Sequence, residues 1–489
     1  MTRLLATLLL VLFVAGCAGP RSYTQLTGLQ DEPRCRELLA DMEGRIRTAG
    51  TRDRSAHPLD DFPYLRVDRF LASFAGQLAG PAQRRAWHGR LLALGSEARA
   101  LELDNLPRPF TASERQAIET CIRRLADADR AAPGFYQRVQ QQARVPSGYS
   151  TPQRVLGLFP LTRLVVLHQI ERWNAIWEPA FNAPRFAKGV RIEYRPLQAV
   201  TLEPDRIRAW LAQARAASPL AIPELPDARL QALFHHFAPR WQVRQASSAD
   251  RIGALYWGQD GRPQVDGARP VVYQLPSYTR FQGQILLQLN YQVWFGARPA
   301  QGLLDIYAGH LDGLIWRVTL DSDGQVLAYD SIHACGCYHF LFPVSEEVRL
   351  HALDPDEENP LIFFGAPDRD EERLSVRITD SHHYLVGLSL EKDQGTEVRD
   401  YRLQPYQTLL RLPDGQGGTR SLFDPGGRVA SSRRLERFLL WPMGVPSAGA
   451  MRQWGQHLIS FTGQRHFDDP FLLSEFLLRP GPPGGQKKR

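Results

Sequence analysis

The sequence predicts an α+β protein in which a helical N-terminal region is followed by a β-rich, mainly antiparallel C-terminal domain. Apolar residues recur at spacings of three and four through residues 34–240, as in amphipathic helices. Short β-branched and aromatic runs separated by Gly, Pro and Asp dominate residues 241–479, as in strands joined by turns. Because helices and strands are segregated along the chain, we expect an α+β fold rather than an alternating α/β fold.

The first seventeen residues have the layout of a secretory signal. The charged start at Arg3 is followed by the apolar run Leu4–Val14, and small residues then precede Cys17. This run of eleven residues is shorter than the ~20 that a membrane-spanning helix needs. We therefore expect a signal peptide over residues 1–16 rather than a transmembrane anchor.

The string Val14-Ala15-Gly16-Cys17 resembles the lipobox of bacterial lipoproteins. The resemblance implies that Cys17 is lipidated and that the mature chain is tethered to a membrane. Ala18 stands where an aspartate would favour the inner membrane, so the resemblance further implies the periplasmic face of the outer membrane. Residues 17–33 would then be a lipidated tether.

The helical region is predicted from six segments and one strongly apolar stretch. The segments are Arg34–Arg47, Val67–Ala79, Ala82–Leu103, 112–130, Glu203–Ala217 and Asp227–Phe237. Thr111 and Glu114 form the pattern of a capping box at the start of the fourth segment. Pro160 and several charged residues interrupt the apolar stretch Val155–Trp177, so we expect a buried or interfacial helix there rather than a membrane span.

The β-rich domain is predicted from seven strand signals and three terminal helices. The strands are Val271–Leu275, Gln284–Phe295, Gly313–Leu320, Gln325–Phe342, Leu374–Thr379, Tyr384–Leu390 and Thr408–Leu412. The helices are Ser432–Leu440, Ala448–Phe461 and Pro470–Leu478. The composition of residues 480–489, rich in Gly, Pro and Lys, predicts a disordered tail.

Composition limits the classes of partner and the redox state. The formal charge is +7, but basic and acidic residues are interspersed and no basic stripe carries aromatic residues, so we expect no nucleic-acid partner. Cys35 and Cys121 lie in two predicted helices. In an oxidising periplasm they either form a disulfide or remain two separate buried thiols.

One segment has the residues that metal or thiol chemistry needs. His333, Cys335, Cys337 and His339 occupy every second position, and alternate residues of a strand share a face. Imidazole and thiolate are ligands of zinc and copper. A straight strand separates alternate residues by ~6.6 Å, so all four side chains cannot reach one ion unless Gly336 bends the strand or ligands come from elsewhere.

A neighbouring hairpin supplies such ligands. The sequence 321–324 reads as its turn. A two-residue loop places His310 opposite Cys337 and Asp312 opposite Cys335. A four-residue loop places His310 opposite Cys335 and Asp312 opposite His333. In both registers the six candidate residues face the same side, and they are His310, Asp312, His333, Cys335, Cys337 and His339. His382 or His383 could also join this cluster.

Three interpretations of the cluster remain open at this stage. The first is a metal site for zinc or copper in an outer-membrane-anchored lipoprotein. The second is a structural cluster or a Cys335–Cys337 disulfide in a non-enzymatic envelope scaffold or adaptor. The third is a thiol-dependent hydrolase, with a histidine as base and Asp312 as its orienting group. The expected partners are the membrane, reached through the lipid, and another envelope protein.

Overall fold

The computed structural model describes residues 33–181, 183, 190–345, 348–367, 373–390 and 397–479. The predicted signal peptide 1–16, the lipidation site Cys17, nearly all of the tether 17–33 and the tail 480–489 lie outside the described residues.

Eleven α-helices are described. They are α1 Pro33–Ala49, α2 Arg69–Ala72, α3 Pro81–Asp104, α4 Ala112–Ala131, α5 Phe135–Gln142, α6 Thr151–Leu156, α7 Phe159–Trp177, α8 Pro204–Ala217, α9 Asp227–Phe237, α10 Arg437–Leu440 and α11 Leu472–Phe476. Short 3-10 helices span Ser248–Asp250, Tyr406–Leu410, Ala430–Ser432 and Trp441–Met443. Within the described residues, no helix has both the length and the apolar character of a membrane span.

Nineteen strands are described, and eleven of them form one sheet. The strands are β1 His57–Leu59, β2 Phe62–Val67, β3 Arg191–Pro196, β4 Arg240–Arg244, β5 Ala254–Trp257, β6 Pro263–Asp266, β7 Val271–Phe281, β8 Gln284–Arg298, β9 Gly309–Leu320, β10 Val326–His333, β11 Phe340–Pro343, β12 Arg349–Leu350, β13 Leu361–Ile362, β14 Ser375–Ile378, β15 Leu385–Ser389, β16 Glu397–Pro405, β17 Leu412–Pro413, β18 Thr419–Arg420 and β19 Leu477–Leu478. The order in the large sheet is β13-β11-β10-β9-β8-β7-β16-β3-β4-β14-β15.

The α+β class is confirmed, but the mainly antiparallel sheet is wrong. Four of the ten neighbouring pairs are parallel, namely β11–β13, β7–β16, β3–β16 and β4–β14. The successive strands β7 to β11 form an antiparallel meander, of which the turn signal at 321–324 predicts only the hairpin β9–β10. The parallel pairs join strands far apart in sequence, and local patterns contain no information about such crossovers.

The sequence pattern changes from helical to strand-like near residue 240, but the large sheet also includes a strand that precedes this position. Strand β3 lies within the region predicted to be helical, yet it pairs with β16 and β4 inside the large sheet. Its residues Ile192 and Tyr194 are fully buried in the core of that sheet. The long predicted strand ending at Phe342 is divided into β10 and β11, and residues 448–461 are not helical.

The N-terminal helices α1, α3, α4 and α5 enclose a separate core with the β1–β2 hairpin. A disulfide joins Cys35 on α1 to Cys121 on α4. The helix α4 begins with the expected capping box, in which Glu114 N–H donates to Thr111 Oγ1 and Thr111 N–H donates to Glu114. The disulfide therefore links α1 to α4, and the capping box stabilises the start of α4.

Candidate functional site

The hairpin β9–β10 follows the register of the two-residue loop. Ala328 pairs with Thr319 and His333 pairs with Leu314, after an irregularity next to the turn. Ladder pairing ends at His333, so the predicted cross-strand pairs involving Cys335 and Cys337 do not form. Asp312 and His310 lie on β9, opposite Phe295 and Ala297 of β8.

A tight turn ends β10 at His333. Beyond it, successive side chains no longer alternate between the two faces of a strand, so the predicted shared face of the six residues is lost. The N–H of His333 donates to the carbonyl of Cys337 at 2.9 Å, and the N–H of Gly336 donates to the carbonyl of His333 at 2.8 Å. Gly336 has φ +101°, and a Cβ at this position would lie 2.4 Å from the carbonyl oxygen of Leu458. Only glycine fits both requirements. We call residues 333–337 the thiol turn.

The six predicted ligands do not converge on one point, and this corrects the expectation from the sequence. His310 Nε2 lies 2.6 Å from the carbonyl oxygen of Pro263, and His339 Nε2 lies 3.5 Å from Asp330. Within the described residues there is no group of three or more His, Cys, Asp or Glu side chains placed to hold a metal ion. The physical reason is the thiol turn, which redirects the chain after His333.

Asp312 instead belongs to a buried group that we call the His–Asp cluster, formed by Asp250, Asp312, His333, His383 and Arg434. His383 bridges two carboxylates, with Nδ1 3.0 Å from Asp312 Oδ2 and Nε2 3.3 Å from Asp250 Oδ1. Arg434 lies 3.2 Å from Asp312 Oδ1. The five side chains are at most 2% exposed, so water does not reach them.

The charges of the His–Asp cluster compensate one another. Burial opposes ionisation of Asp250, but its close contact with His383 and hydrogen bonds from backbone amides lower its pKa to about 2. Burial also opposes ionisation of Asp312, but the charge of Arg434 and hydrogen bonding hold its pKa well below the usual value. For His383, the two carboxylates outweigh burial and raise the pKa. Two carboxylates thus face one imidazolium and one guanidinium.

His333 differs from the other members of the His–Asp cluster. Its Nδ1 lies 3.7 Å from Asp312 Oδ1, which is too long for a hydrogen bond. Burial lowers the pKa of His333, so its ring is neutral. His333 therefore packs beside the charged group without adding a charge to it.

Backbone strain accumulates around this group. Leu311, Tyr338, Ser381 and His383 all have φ between +54° and +60°, a region that non-glycine residues rarely adopt. The ring of His383 is held in place by Phe295, which stacks on it at 3.9 Å with an angle of 2° between the rings. Such strain costs ~1–3 kcal/mol per residue and persists only where surrounding contacts enforce it.

Aromatic side chains close the cluster from outside. Tyr338 and Tyr384 lie 5.0 and 5.7 Å from the ring of His333, and their hydroxyls are 3.0 Å apart. Trp173 and Trp177 of α7 pack on these tyrosines, at 4.8 Å from Tyr338 and 4.7 Å from Tyr384 respectively. One face of α7 therefore covers the His–Asp cluster.

The two cysteines of the thiol turn lie two positions apart, and the backbone of Cys337 contacts the sulfur of Cys335. Cys335 is buried and Cys337 is half-buried, both are free, and the N–H of Cys337 lies 3.5 Å from Cys335 Sγ. Interaction with Cys337 and the nearby charge of Arg434 lower the pKa of Cys335 despite its burial. In the part of the chain that is described, neither thiol has a hydrogen bond to a histidine.

His339 belongs to a second buried group on the other side of the sheet. Asp330 forms a two-point ion pair with Arg317, and Arg317 also donates to the carbonyl of Phe467 at 2.6 Å. The ring of Phe467 lies 3.7 Å from the Arg317 guanidinium. This group ties the sheet to the C-terminal segment.

A groove of about 1120 Å³ lies among loops near His310. Residues 104–109, 257–263 and 414–431 contribute most of its lining, and Pro263 in that lining is the contact of His310. The Arg420 guanidinium stacks 3.9 Å above the ring of Trp257. No residue of the His–Asp cluster lines the groove.

The sequence indicated His383 as an additional member but gave no signal for Asp250 or Arg434. These two residues are distant in sequence and come from unrelated segments.

No family model, no curated protein and no solved structure matches this chain.

Proposed function

We propose that this protein is a lipid-anchored scaffold or adaptor at the periplasmic face of the bacterial outer membrane. The lipobox-like string ending at Cys17 supports the anchor. The observation that carries the non-enzymatic assignment is the sealed and charge-compensated His–Asp cluster. A catalytic base must reach its substrate, whereas these side chains are at most 2% exposed.

The His–Asp cluster suits a structural role because it connects four separate parts of the chain. Asp250 follows β4, Asp312 lies on β9, His383 precedes β15 and Arg434 precedes α10. Removing one partner of a buried ion pair costs ~3–5 kcal/mol, because the other charge is left uncompensated. The cluster therefore fixes the arrangement of loops around a rigid sheet, as a scaffold requires.

The groove supports a binding role. The stacked pair Trp257 and Arg420 in its lining offers residue types that dominate binding energy at interfaces. We propose that an extended segment of another envelope protein binds here.

Cross-linking in intact envelopes tests the adaptor function. The native protein should form a reproducible cross-link from peptides 257–263 or 414–431 to one envelope protein. Trp257→Ala with Arg420→Ala should remove that cross-link, whereas Leu303→Ala, at a fully exposed position, should keep it. A catalytic turnover that requires His333 or Cys337 would refute the non-enzymatic assignment.

A second function, binding of Cu⁺ by the thiol turn, is favoured by one observation. Two free thiols lie two positions apart on one turn, and the interaction between them lowers the pKa of Cys335 and raises that of Cys337. Thiolates select soft ions such as Cu⁺, whereas a structural zinc site uses four ligands. Of the two metals expected from the sequence, copper therefore fits this pair better.

A further inference from the structure

Helices α6 and α7 and the segment 435–441 present large apolar side chains to solvent. We call this surface the apolar face and define it by Leu156, Leu161, Leu164, Val165, Phe438 and Leu439, which are 53% to 77% exposed. Single exposed apolar residues are ordinary, but a contiguous group marks a site of interaction.

The two parts of the apolar face form one rigid surface. A Cβ on Gly157 would lie 2.4 Å from Cβ of Pro442, so the helices approach as closely as backbone atoms allow. The N–H of Ser150 donates to the carbonyl of Gly444 at 2.7 Å, and Arg154 Nε donates to the carbonyl of Met443 at 2.9 Å. The relative position of these helices is therefore fixed.

The rest of the molecule does not need the apolar face for its own core. The opposite side of α7 already packs through Trp173 and Trp177 on the tyrosines that cover the His–Asp cluster. The exposed positions 161, 164 and 165 follow helical spacing and so lie on one side of the helix. The apolar face is therefore available to an external surface.

Charge indicates the chemistry of that surface. Residues 155–165 contain Arg163 and no acid, and the single acid of 435–441, Glu436, is buried. Arg437 lies within the second segment, Arg172 follows the exposed Glu171 further along α7, and Trp441 is 38% exposed. Apolar residues with neighbouring arginines and an amphipathic aromatic ring suit the boundary between anionic headgroups and acyl chains.

We propose that the apolar face inserts into the headgroup region of an anionic phospholipid bilayer. The proposal rests in part on the proposed lipid anchor, which would keep the face near that bilayer. Pro33 follows Cys17 by sixteen positions, so an extended tether reaches at most ~58 Å. The acyl group and the apolar face would then hold one membrane at two points.

Photolabelling from within the bilayer tests the proposal. The full acylated chain is reconstituted into vesicles of phosphatidylethanolamine with a minority of phosphatidylglycerol, doped with a lipid that has a diazirine in its acyl chain. After irradiation, mass spectrometry should find labels on peptides containing residues 155–165 and 435–441. Leu161→Glu with Phe438→Glu should reduce this labelling roughly tenfold, because charges oppose burial among acyl chains.

The matched control is Leu303→Glu with Leu304→Glu, two leucines more than 90% exposed in another loop, which should leave labelling unchanged. Labels on the N-terminal peptide alone would overturn the docking proposal while supporting the anchor. Labels on the apolar face without an acylated N-terminus would support docking and refute the anchor. Cross-links between copies at these peptides, with no lipid label, would also overturn the docking proposal.

Discussion

At the scale of single residues, the side chains with potential chemical reactivity are mostly buried and do not line an open cleft. His383 lies between Asp250 and Asp312, and stacking by Phe295 fixes its ring. The thiols of Cys335 and Cys337 lie on a neighbouring turn, where one of them is half-buried. Two predictions separate the structural role of the first group from the binding role of the second.

The first prediction concerns His383→Gln. The folded-state pKa of His383 lies above the ordinary value of 6.5, so its stabilising contribution is complete below pH ~6.5 and is lost as the pH rises through the folded-state pKa. The variant should lose ~3–5 kcal/mol of unfolding free energy near neutral pH. Urea unfolding above pH ~6.5 should show stability falling with pH in the native chain and a flatter profile in the variant.

Buried histidines with lowered pKa values, such as His457, titrate below this window and do not obscure the comparison. Asp250 and Asp312 contribute in a different range: their contribution is present above their usual pKa of 3.8 and is lost as the pH falls toward the lowered values. The exposed control His168→Gln should leave the profile unchanged. If the unfolding free energies of the native chain and of His383→Gln change equally with pH above pH ~6.5, this result would contradict a protonated His383 in the folded state.

The second prediction concerns the thiol turn. Fully reduced protein should bind about one Cu⁺ ion per chain, because adjacent thiolates suit a soft ion. Binding should weaken as the pH falls, since protons compete for the thiolates. Titration against a chromophoric Cu⁺ chelator measures this. Cys335→Ser with Cys337→Ser should abolish binding and His168→Ala should not. Binding that survives the double serine change would exclude this site.

At the scale of elements, α7 has two different apolar sides with different roles. Its inner side closes the His–Asp cluster through Trp173 and Trp177, and its outer side contributes to the apolar face. This explains why α7 has apolar side chains on two sides, although polar residues such as Arg163, His168 and Glu171 are interspersed along it. The inner side determines stability, whereas the outer side is free for contact with a membrane.

The third prediction follows from this division of α7. Trp173→Ala should cost ~2–4 kcal/mol of unfolding free energy, because it leaves a cavity beside Tyr338, Phe340 and Trp177. The matched control is Ile176→Ala on the same helix, where the side chain is 63% exposed and the loss should be ~0.5 kcal/mol or less. Chemical denaturation measures both. Similar losses for the two variants would mean that α7 does not cover the cluster as described.

At the scale of the whole molecule, long-range connections hold together parts that the sequence pattern separates. β3 brings the N-terminal half of the chain into the large sheet, and the Cys35–Cys121 disulfide ties two helices of the N-terminal core. Arg69 also contacts Asp468 at 2.9 Å, almost at the opposite end of the chain. The stability of the protein therefore depends on contacts between distant parts of the chain.

The fourth prediction concerns the disulfide. Cys35→Ser with Cys121→Ser opens a loop with a sequence separation of 86 residues and should cost ~2–5 kcal/mol, chiefly by freeing the unfolded chain. Adding a reductant should lower the thermal midpoint of the native chain but not that of the double variant. The same midpoint in both reduced and oxidised native protein would show that the bridge is absent in solution.

The fifth prediction concerns anchoring. Cys17→Ser should prevent acylation and processing, so that mass spectrometry of the expressed chain finds an unmodified precursor that retains residues 1–16. Cys337→Ser serves as a control that should still be processed and acylated. Acylation of the Cys17→Ser chain, with cleavage before position 17, would refute the lipoprotein assignment.

The sequence by itself determined the features that depend on neighbouring residues. These include the helices with three-and-four periodicity, the capping box at Thr111 and the β9–β10 hairpin, for which the sequence allowed two registers and the structure adopts that of the two-residue loop. Tertiary structure alone decided the parallel pairs of β3 and β16 and the partners of the predicted ligands. The physical reason is that Gly336 adopts a left-handed turn against Leu458, whereas Asp250 and Arg434 reach Asp312 and His383 from distant segments. Alternation along a strand holds only while the strand continues, and which distant charges meet in the core depends on how the whole chain packs.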